Sequence, residues 1–369
     1  MKYFSSYIKH LVVIIVSLHK LAFAQNVDLL KYVNTLQGTN SKFELSYGNT
    51  YPTIALPFGM NTWSPQTGKN GDGWKYQYFL DSIRGFQQAH QCSPWVNDYA
   101  VFSLMPVTGN LVVNQFARAA KFSHQNEIAK PNYYRVKLDN GITAEIAPTE
   151  RGAHLRFSFP KNQNAFIIFD GYIKMSMVQI LPDENKITGY VTNQSFAPQN
   201  FKCYFVIQFD KTFKSYSTWQ SRNDSVFKNK LSETGEEIGA YIEFEKGIIV
   251  QAKVASSYIS VEQAQVTLDR ELGKYKSLNE TKDAGEKIWN DILGNVLVEG
   301  GTEENKKTFY SCLFRASLFS REFFEFDENN NPYYYSPYDG KIHQGYMYTD
   351  NGFWDTFRAE LPLHNLLYP

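Results

Sequence analysis

The stretch Tyr133-Tyr134-Arg135-Val136-Lys137-Leu138, then Asp139-Asn140-Gly141, then Ile142-Thr143-Ala144-Glu145-Ile146 decides the fold class. Apolar and polar residues alternate along both arms, which places one face of each arm in a core with the period of two that only a strand has. Between the arms, Asn-Gly tolerates positive φ at low cost and closes a tight antiparallel hairpin. Outward from it, Leu155 to Phe159, Cys203 to Phe209 and Ile238 to Phe244 repeat the alternation. Gly, Pro, Asn and Asp punctuate the chain between such runs from about Val27 to about Ser260. The expectation is one all-β domain, an antiparallel β-sandwich of many strands over residues 25–260.

Near Val261 the period changes. Glu262 to Tyr275 and Ala284 to Leu293 are rich in helix formers, with Ala284, Ile288, Trp289 and Ile292 at helical spacing, so residues 261–298 read as linker helices. A helix from Glu303 to about Phe323 is expected next, acidic in its first turn and striped with Phe309, Leu313, Ala316, Phe319 and Phe323. Asp327 to Asp339 reads as a loop, and Gly352 to Tyr368 as another amphipathic helix with Trp354, Phe357, Leu361 and Leu366 apolar. One or two helices do not bury each other's faces into an independent domain. Residues 299–369 therefore read as the start of an α-helical domain, and the sequence as the N-terminal piece of a longer protein.

Composition narrows the function. Lys plus Arg and Asp plus Glu both number 37, giving no net charge and no footprint for nucleic acid or an anionic membrane. The 43% hydrophobic and 16% aromatic content is ample for a core and argues against disorder. Lys2 and Lys9, the apolar run Leu11 to Leu18 and Ala22-Phe23-Ala24 before Gln25 follow the order of a signal peptide over residues 1–24, which implies export to the periplasm or the medium. That apolar run is too short to span a bilayer. Cys92, Cys203 and Cys312 are odd in number and widely spaced, fitting neither a disulfide framework nor a zinc site.

Two stretches collect the residue types that bind sugars, which need flat apolar faces and short-range hydrogen-bonding groups. One is turn-rich and holds Gly71-Asp72-Gly73-Trp74 and then His90-Gln91-Cys92-Ser93-Pro94-Trp95-Val96-Asn97-Asp98-Tyr99; Trp74, His90, Trp95 and Asp98 are its candidates. The other is Phe353-Trp354-Asp355-Thr356-Phe357-Arg358, with Trp354 and Asp355 as candidates; Asp355 and Arg358 also stand three apart, where an ordinary surface ion pair would form. There is no Gly-rich phosphate loop, no Gly-x-Ser-x-Gly elbow and no His-Glu-x-x-His run.

Taken in order, Gly48-Asn49-Thr50-Tyr51-Pro52, Pro57-Phe58-Gly59-Met60, Gly85-Phe86, Asp98-Tyr99, Met105-Pro106-Val107-Thr108-Gly109, Gly300-Gly301-Thr302-Glu303-Glu304 and Phe353-Trp354-Asp355-Thr356-Phe357-Arg358 resemble glycoside hydrolase family 92. The resemblance implies a β-sandwich, a helical linker and a catalytic (α/α)6 barrel, with the active site where sandwich and barrel meet. It implies an exo-acting, inverting α-mannosidase that uses calcium, with a mannose-containing glycan as partner. By the same resemblance Asp355 hydrogen-bonds mannose hydroxyls, the sandwich candidates wall the pocket, and the acid, the base and most of the calcium shell come after Pro369. These residues alone are then expected to give no turnover. One departure bears on linkage: Gln91-Cys92-Ser93-Pro94-Trp95 stands where many members carry a loop of small residues, so a preference for α-1,2 bonds is not implied. The competing readings are a secreted, non-catalytic carbohydrate-binding sandwich and an (α/α)6 hydrolase or phosphorylase acting on another sugar.

Overall fold

The computed structural model describes residues 28–42, 44, 48–68, 73–92, 97–171, 173–192, 200–221, 225–349 and 352–368. The signal-peptide stretch and Trp95 lie outside the described residues.

The hairpin forms as its sequence dictates. Strands Tyr133–Leu138 and Thr143–Pro148 pair antiparallel with Tyr134 opposite Ile146 and Val136 opposite Ala144. Gly141 takes φ +89°, and its N–H donates to the Leu138 carbonyl at 2.9 Å. Tyr134, Val136, Ala144 and Ile146 are buried, as the alternation requires. Around it a ten-stranded sheet runs Ser232–Glu236, Met175–Leu181, Lys186–Thr192, Lys202–Phe209, Ile249–Ser257, Gly152–Ser158, Thr143–Pro148, Tyr133–Leu138, Ala120–Lys130 and Ser82–Ile83. A seven-stranded sheet runs Thr62–Gln66, Gly85–Ala89, Phe102–Thr108, Ala165–Asp170, Ile238–Phe244, Ser215–Gln220 and Ser225–Val226. All pairings in both are antiparallel. The sheets meet over an aromatic core in which Phe102 and Phe169 lie 5.0 and 4.7 Å from Phe205. The all-β domain followed by helices is the architecture expected.

The α-helices begin at residue 261, the first three each behind a capping side chain. Helix α1, Val261–Leu272, starts where Ser260 accepts the Gln263 N–H, and lays Ala264 and Leu268 on Val206 and Ala255 of the ten-stranded sheet. Helix α2, Leu278–Leu293, is capped by Ser277. Its Trp289 is fully buried and donates from Nε1 to the Ala55 carbonyl at 2.8 Å, while Asn290 Oδ1 accepts from the N–H groups of Leu29 and Leu30. Helix α3, Glu303–Ala316, opens with a Thr302/Asn305 capping box. Trp289, Leu293, Tyr310, Leu313 and Phe314 form a second core with Leu29, Leu30 and Leu56.

Three expectations are corrected. Helix α3 stops at Ala316 rather than continuing to Phe323, because Arg321 leaves helical geometry to reach buried acceptors and pairs with Thr349 in a two-stranded ribbon. The Asn- and Tyr-rich loop is mostly sheet: Glu325–Phe326, Pro332–Ser336 and Lys341–Gln344 form a three-stranded meander. The last helix is two short ones, α4, Phe353–Thr356, and α5, Glu360–Leu367, in which the described residues bury no side chain fully and leave Trp354 and Leu366 uncovered.

Candidate functional site

At one end of the sandwich the loops carrying Tyr51, Lys75, His90, Asp98 and Tyr99 close over a charged node. Lys75 Nζ lies 2.9 Å from Asp98 Oδ2, both side chains being without solvent exposure. Asp98 also takes the N–H of His90 at 2.9 Å and that of Tyr99 at 2.8 Å. Burial alone raises the Asp98 pKa, but the Lys75 ammonium and these N–H donors outweigh it and hold the group below the usual carboxylate range. An uncompensated charge would be costly there; this one is paired and saturated with donors.

His90 is fixed by the same loop. Its ring stacks on Tyr99 at 4.7 Å, and Nδ1 lies 2.8 Å from the Tyr99 carbonyl. A carbonyl only accepts, so the proton sits on Nδ1 and Nε2 is left as an acceptor, buried without a partner. Burial lowers the pKa to about 3, keeping the imidazole neutral at any ordinary pH.

Arg321 ties this node to the segment after α3. Its guanidinium donates to the Met60 carbonyl and the Tyr99 hydroxyl, and is fully buried. Beside it Tyr258 stacks on Phe323 at 4.5 Å and meets Phe201 at 4.8 Å with the rings tilted. A second buried arginine works in parallel. Arg151 donates to Glu150, Glu271 and Glu322, and through Nε to the Phe324 carbonyl, joining sandwich, α1 and the 321–326 strands. Glu325 completes the junction by accepting the Tyr258 N–H at 2.8 Å; burial raises its pKa to about 7.

The candidates therefore separate into two environments. His90 and Asp98 are brought together, buried and committed to the protein's own groups, so what they do is set the position of Tyr99 and of the loop walls. Trp74 is half-buried beside Lys75. Trp354 and Asp355 stand in the open on α4, with Trp354 81% exposed. Gly352 leaves room for the Asp355 carboxylate, since a Cβ there would come 3.0 Å from Oδ2. Arg358 sets its guanidinium 5.1 Å over the Phe357 ring, and no ion pair joins it to Asp355 among the described residues, in place of the surface pair that the spacing suggests.

The open turn can offer a sugar a carboxylate acceptor beside flat aromatic faces; the buried node can only hold its walls. Lys75 and Arg321 escaped the sequence reading. The usable signal was Arg321 within Leu318-Phe319-Ser320-Arg321-Glu322-Phe323-Phe324, since a charge inside an aromatic run implies a buried partner. No group of three or more His, Cys, Asp or Glu side chains among the described residues is arranged to hold a metal ion.

Comparison with known proteins agrees with this architecture. Residues 32–257 match the model of the glycosyl hydrolase family 92 N-terminal domain, and residues 263–369 that of the family 92 catalytic domain. A family 92 inverting mannosidase of Bacteroides thetaiotaomicron superposes with TM-score 0.89 at 44% identity, over 92% of this chain and 46% of that one. An α-mannosidase of the same family and organism, solved with mannoimidazole, gives 0.79 at 27% identity over 92% and 46%. A secreted glycosidase of Arthroderma benhamiae, otherwise uncharacterised, is 22% identical over 87% of this chain and 46% of its own. The chain thus spans about half the length of the relatives it matches. With both family models matching consecutively and the sandwich and helical start in the same order, the chain belongs to glycosyl hydrolase family 92.

Proposed function

We propose that this chain is part of an exported exo-α-mannosidase that removes terminal mannose from a glycan, with inversion at the anomeric carbon. The observation that carries the reading is the 44% identity to an inverting mannosidase over 92% of this chain. Identity at that level over both the sandwich and the first helices argues that the site they frame is retained. The open turn holding Trp354 and Asp355 supports it, because mannose offers C–H faces for an aromatic ring and hydroxyls for a carboxylate.

In this reading Asp355 accepts hydrogen bonds from mannose hydroxyls and Trp354 covers an apolar sugar face, while the His90–Asp98 loop and Trp74 keep the wall in register. Inversion needs one carboxylic acid to protonate the leaving oxygen and one carboxylate to activate water, about 6.5–9.5 Å apart. The residues described here are given binding and positioning, not those two roles. Calcium would be the metal of the whole enzyme, held against hydroxyls of the terminal mannose. Export rests on the leader-like N-terminus and on the secreted relative.

The test is hydrolysis of α-linked mannobioses by the protein expressed from its full reading frame, with the anomer first released followed by proton NMR and with a chelator control. Release of β-mannose, lost on chelation, supports the reading. Release of α-mannose, or turnover only on glucosides, rejects it.

A further inference from the structure

The outer face of the seven-stranded sheet carries a cleft that the mannosidase reading does not use. Gln87 pairs with Ser103, Ser103 with Asp170, Asp170 with Gly239 and Gly239 with Trp219, so these five form one row across five strands. Residues directly opposite in antiparallel strands point to the same side. Phe102 and Phe169, next to the row along their strands, meet Phe205 of the other sheet, so the row faces away from the sandwich core.

Two features shape that face. Gly239 lets the Trp219 indole lie down against the sheet, since a Cβ there would come 2.3 Å from Trp219 Cζ2. The segment after strand Phe102–Thr108 folds back over the row, pinned where Arg118 donates to the Val113 carbonyl at 2.6 Å and to Asp170. Between them is left a cleft of about 310 Å³ walled by Phe116, Asp170, Trp219, Ser221 and Glu237.

Its chemistry selects a ligand class. Trp219 is buried and lends the cleft an indole wall; its Nε1–H has no partner among the described residues and is closed off from solvent. Phe116 is 58% exposed, an aromatic surface beside it. Ser221 and Glu237 add a hydroxyl and a carboxylate. Glu237 is held at φ +53°, where a non-glycine residue is strained, with its carbonyl accepting the Ser221 N–H at 2.9 Å. Arg118 pairs with Asp170, which leaves Glu237 as the one carboxylate of the named walls without an ion pair, too little for a cation site and no place for an anion. A neutral ligand with apolar C–H faces and hydroxyls that both accept and donate remains.

We propose that this cleft is a carbohydrate-binding site of the sandwich domain that takes one or two neutral pyranose rings, with Phe116 covering a ring face, the Trp219 indole closing the apolar wall, the Ser221 hydroxyl donating to one hydroxyl and Glu237 accepting from another. Its volume stands at the small end of the ~300–1,000 Å³ range of ligand sites.

The experiment is calorimetric titration of the protein with methyl α-D-mannopyranoside, methyl β-D-glucopyranoside and methyl β-D-galactopyranoside, repeated on Phe116→Ala and Trp219→Phe. At least one glycoside binds saturably, and Phe116→Ala weakens that binding at least tenfold. Phe116 is a surface residue whose removal leaves the sheet intact, so the test survives even if Trp219→Phe fails to fold. Absence of saturable binding by all three, or binding that Phe116→Ala leaves unchanged, overturns the proposal. Turnover is not the readout, so loss of the mannosidase reading and loss of this site are told apart.

Discussion

The buried node around Asp98 and the open turn around Asp355 are built from the same ingredients, a carboxylate, a cation and aromatic rings, and are put to opposite use. Asp98 spends every acceptor on Lys75 and on N–H groups of its own loop. Asp355 takes no ion pair from Arg358 and stands on a four-residue helix with no buried residue. A carboxylate whose partners are all internal holds structure, and one left open is available to a ligand. Composition does not separate the two; burial does.

The largest effect that would sharpen the contrast is on folding. Replacing Asp98 by Ala leaves Lys75 charged and buried, which costs about 3–5 kcal/mol, read by urea denaturation. The same change at Asp355, which no described residue buries or pairs, stays within about 0.5 kcal/mol in the 369-residue chain. Equal losses at the two positions would remove the distinction.

Next in size is the pH response of the junction beneath the node. Glu325 has its pKa raised by burial from 4.5 to about 7. The folded chain therefore holds this proton more tightly than the unfolded one, so its contribution to stability is fully present below pH 4.5 and is lost as pH rises to about 7. The span allows a change on the order of 3 kcal/mol. His90 acts in the other sense, because its lowered pKa removes stability as pH falls below 6.5 towards about 3. Glu325→Gln should flatten the decline between pH 4.5 and 7 and leave the acid limb, measured by denaturation at a series of pH values. An unchanged decline would mean that another group titrates there.

Period-two alternation in the hairpin and the run of helix formers after Val261 made the two-part fold legible, because each depends on neighbours close in sequence. The end of α3 was not legible. Its apolar stripe runs on to Phe323, but Arg321 finds its acceptors on Met60 and Tyr99, more than two hundred residues away, and no local pattern encodes that. The three-stranded meander was hidden behind Asn, Pro and Tyr, which read as a loop although the consecutive tyrosines Tyr333, Tyr334 and Tyr335 pair across to Lys341–Gln344. At the site, sequence selected His90, Asp98 and Asp355 by residue type, yet could not say that the first two face inward.

Activity is the third test and reverses the order of the two regions. If Asp355 accepts mannose hydroxyls, Asp355→Asn weakens a charge-assisted hydrogen bond of about 1.5–3 kcal/mol, a loss in kcat/KM of roughly ten- to a hundredfold with unchanged stability. The full-length protein and an α-mannoside are needed for the measurement. Wild-type kcat/KM in this variant would place the sugar contact elsewhere on the turn.

The smallest effect tests position rather than chemistry. Gly352 has φ −74°, which alanine adopts without strain, and it is exposed, so Gly352→Ala should change stability by no more than about 0.5 kcal/mol. The added Cβ nevertheless comes 3.0 Å from Asp355 Oδ2, closer than ordinary contact, and the carboxylate has to swing away. A carboxylate that binds sugar only in its present direction then loses part of its function, so kcat/KM falls by less than in Asp355→Asn, with KM taking most of the change. If the carboxylate instead turns freely in solvent, Gly352→Ala matches the wild type in both kcat and KM. The open turn would then be merely exposed, and only the buried node would have a geometry that the sequence is obliged to keep.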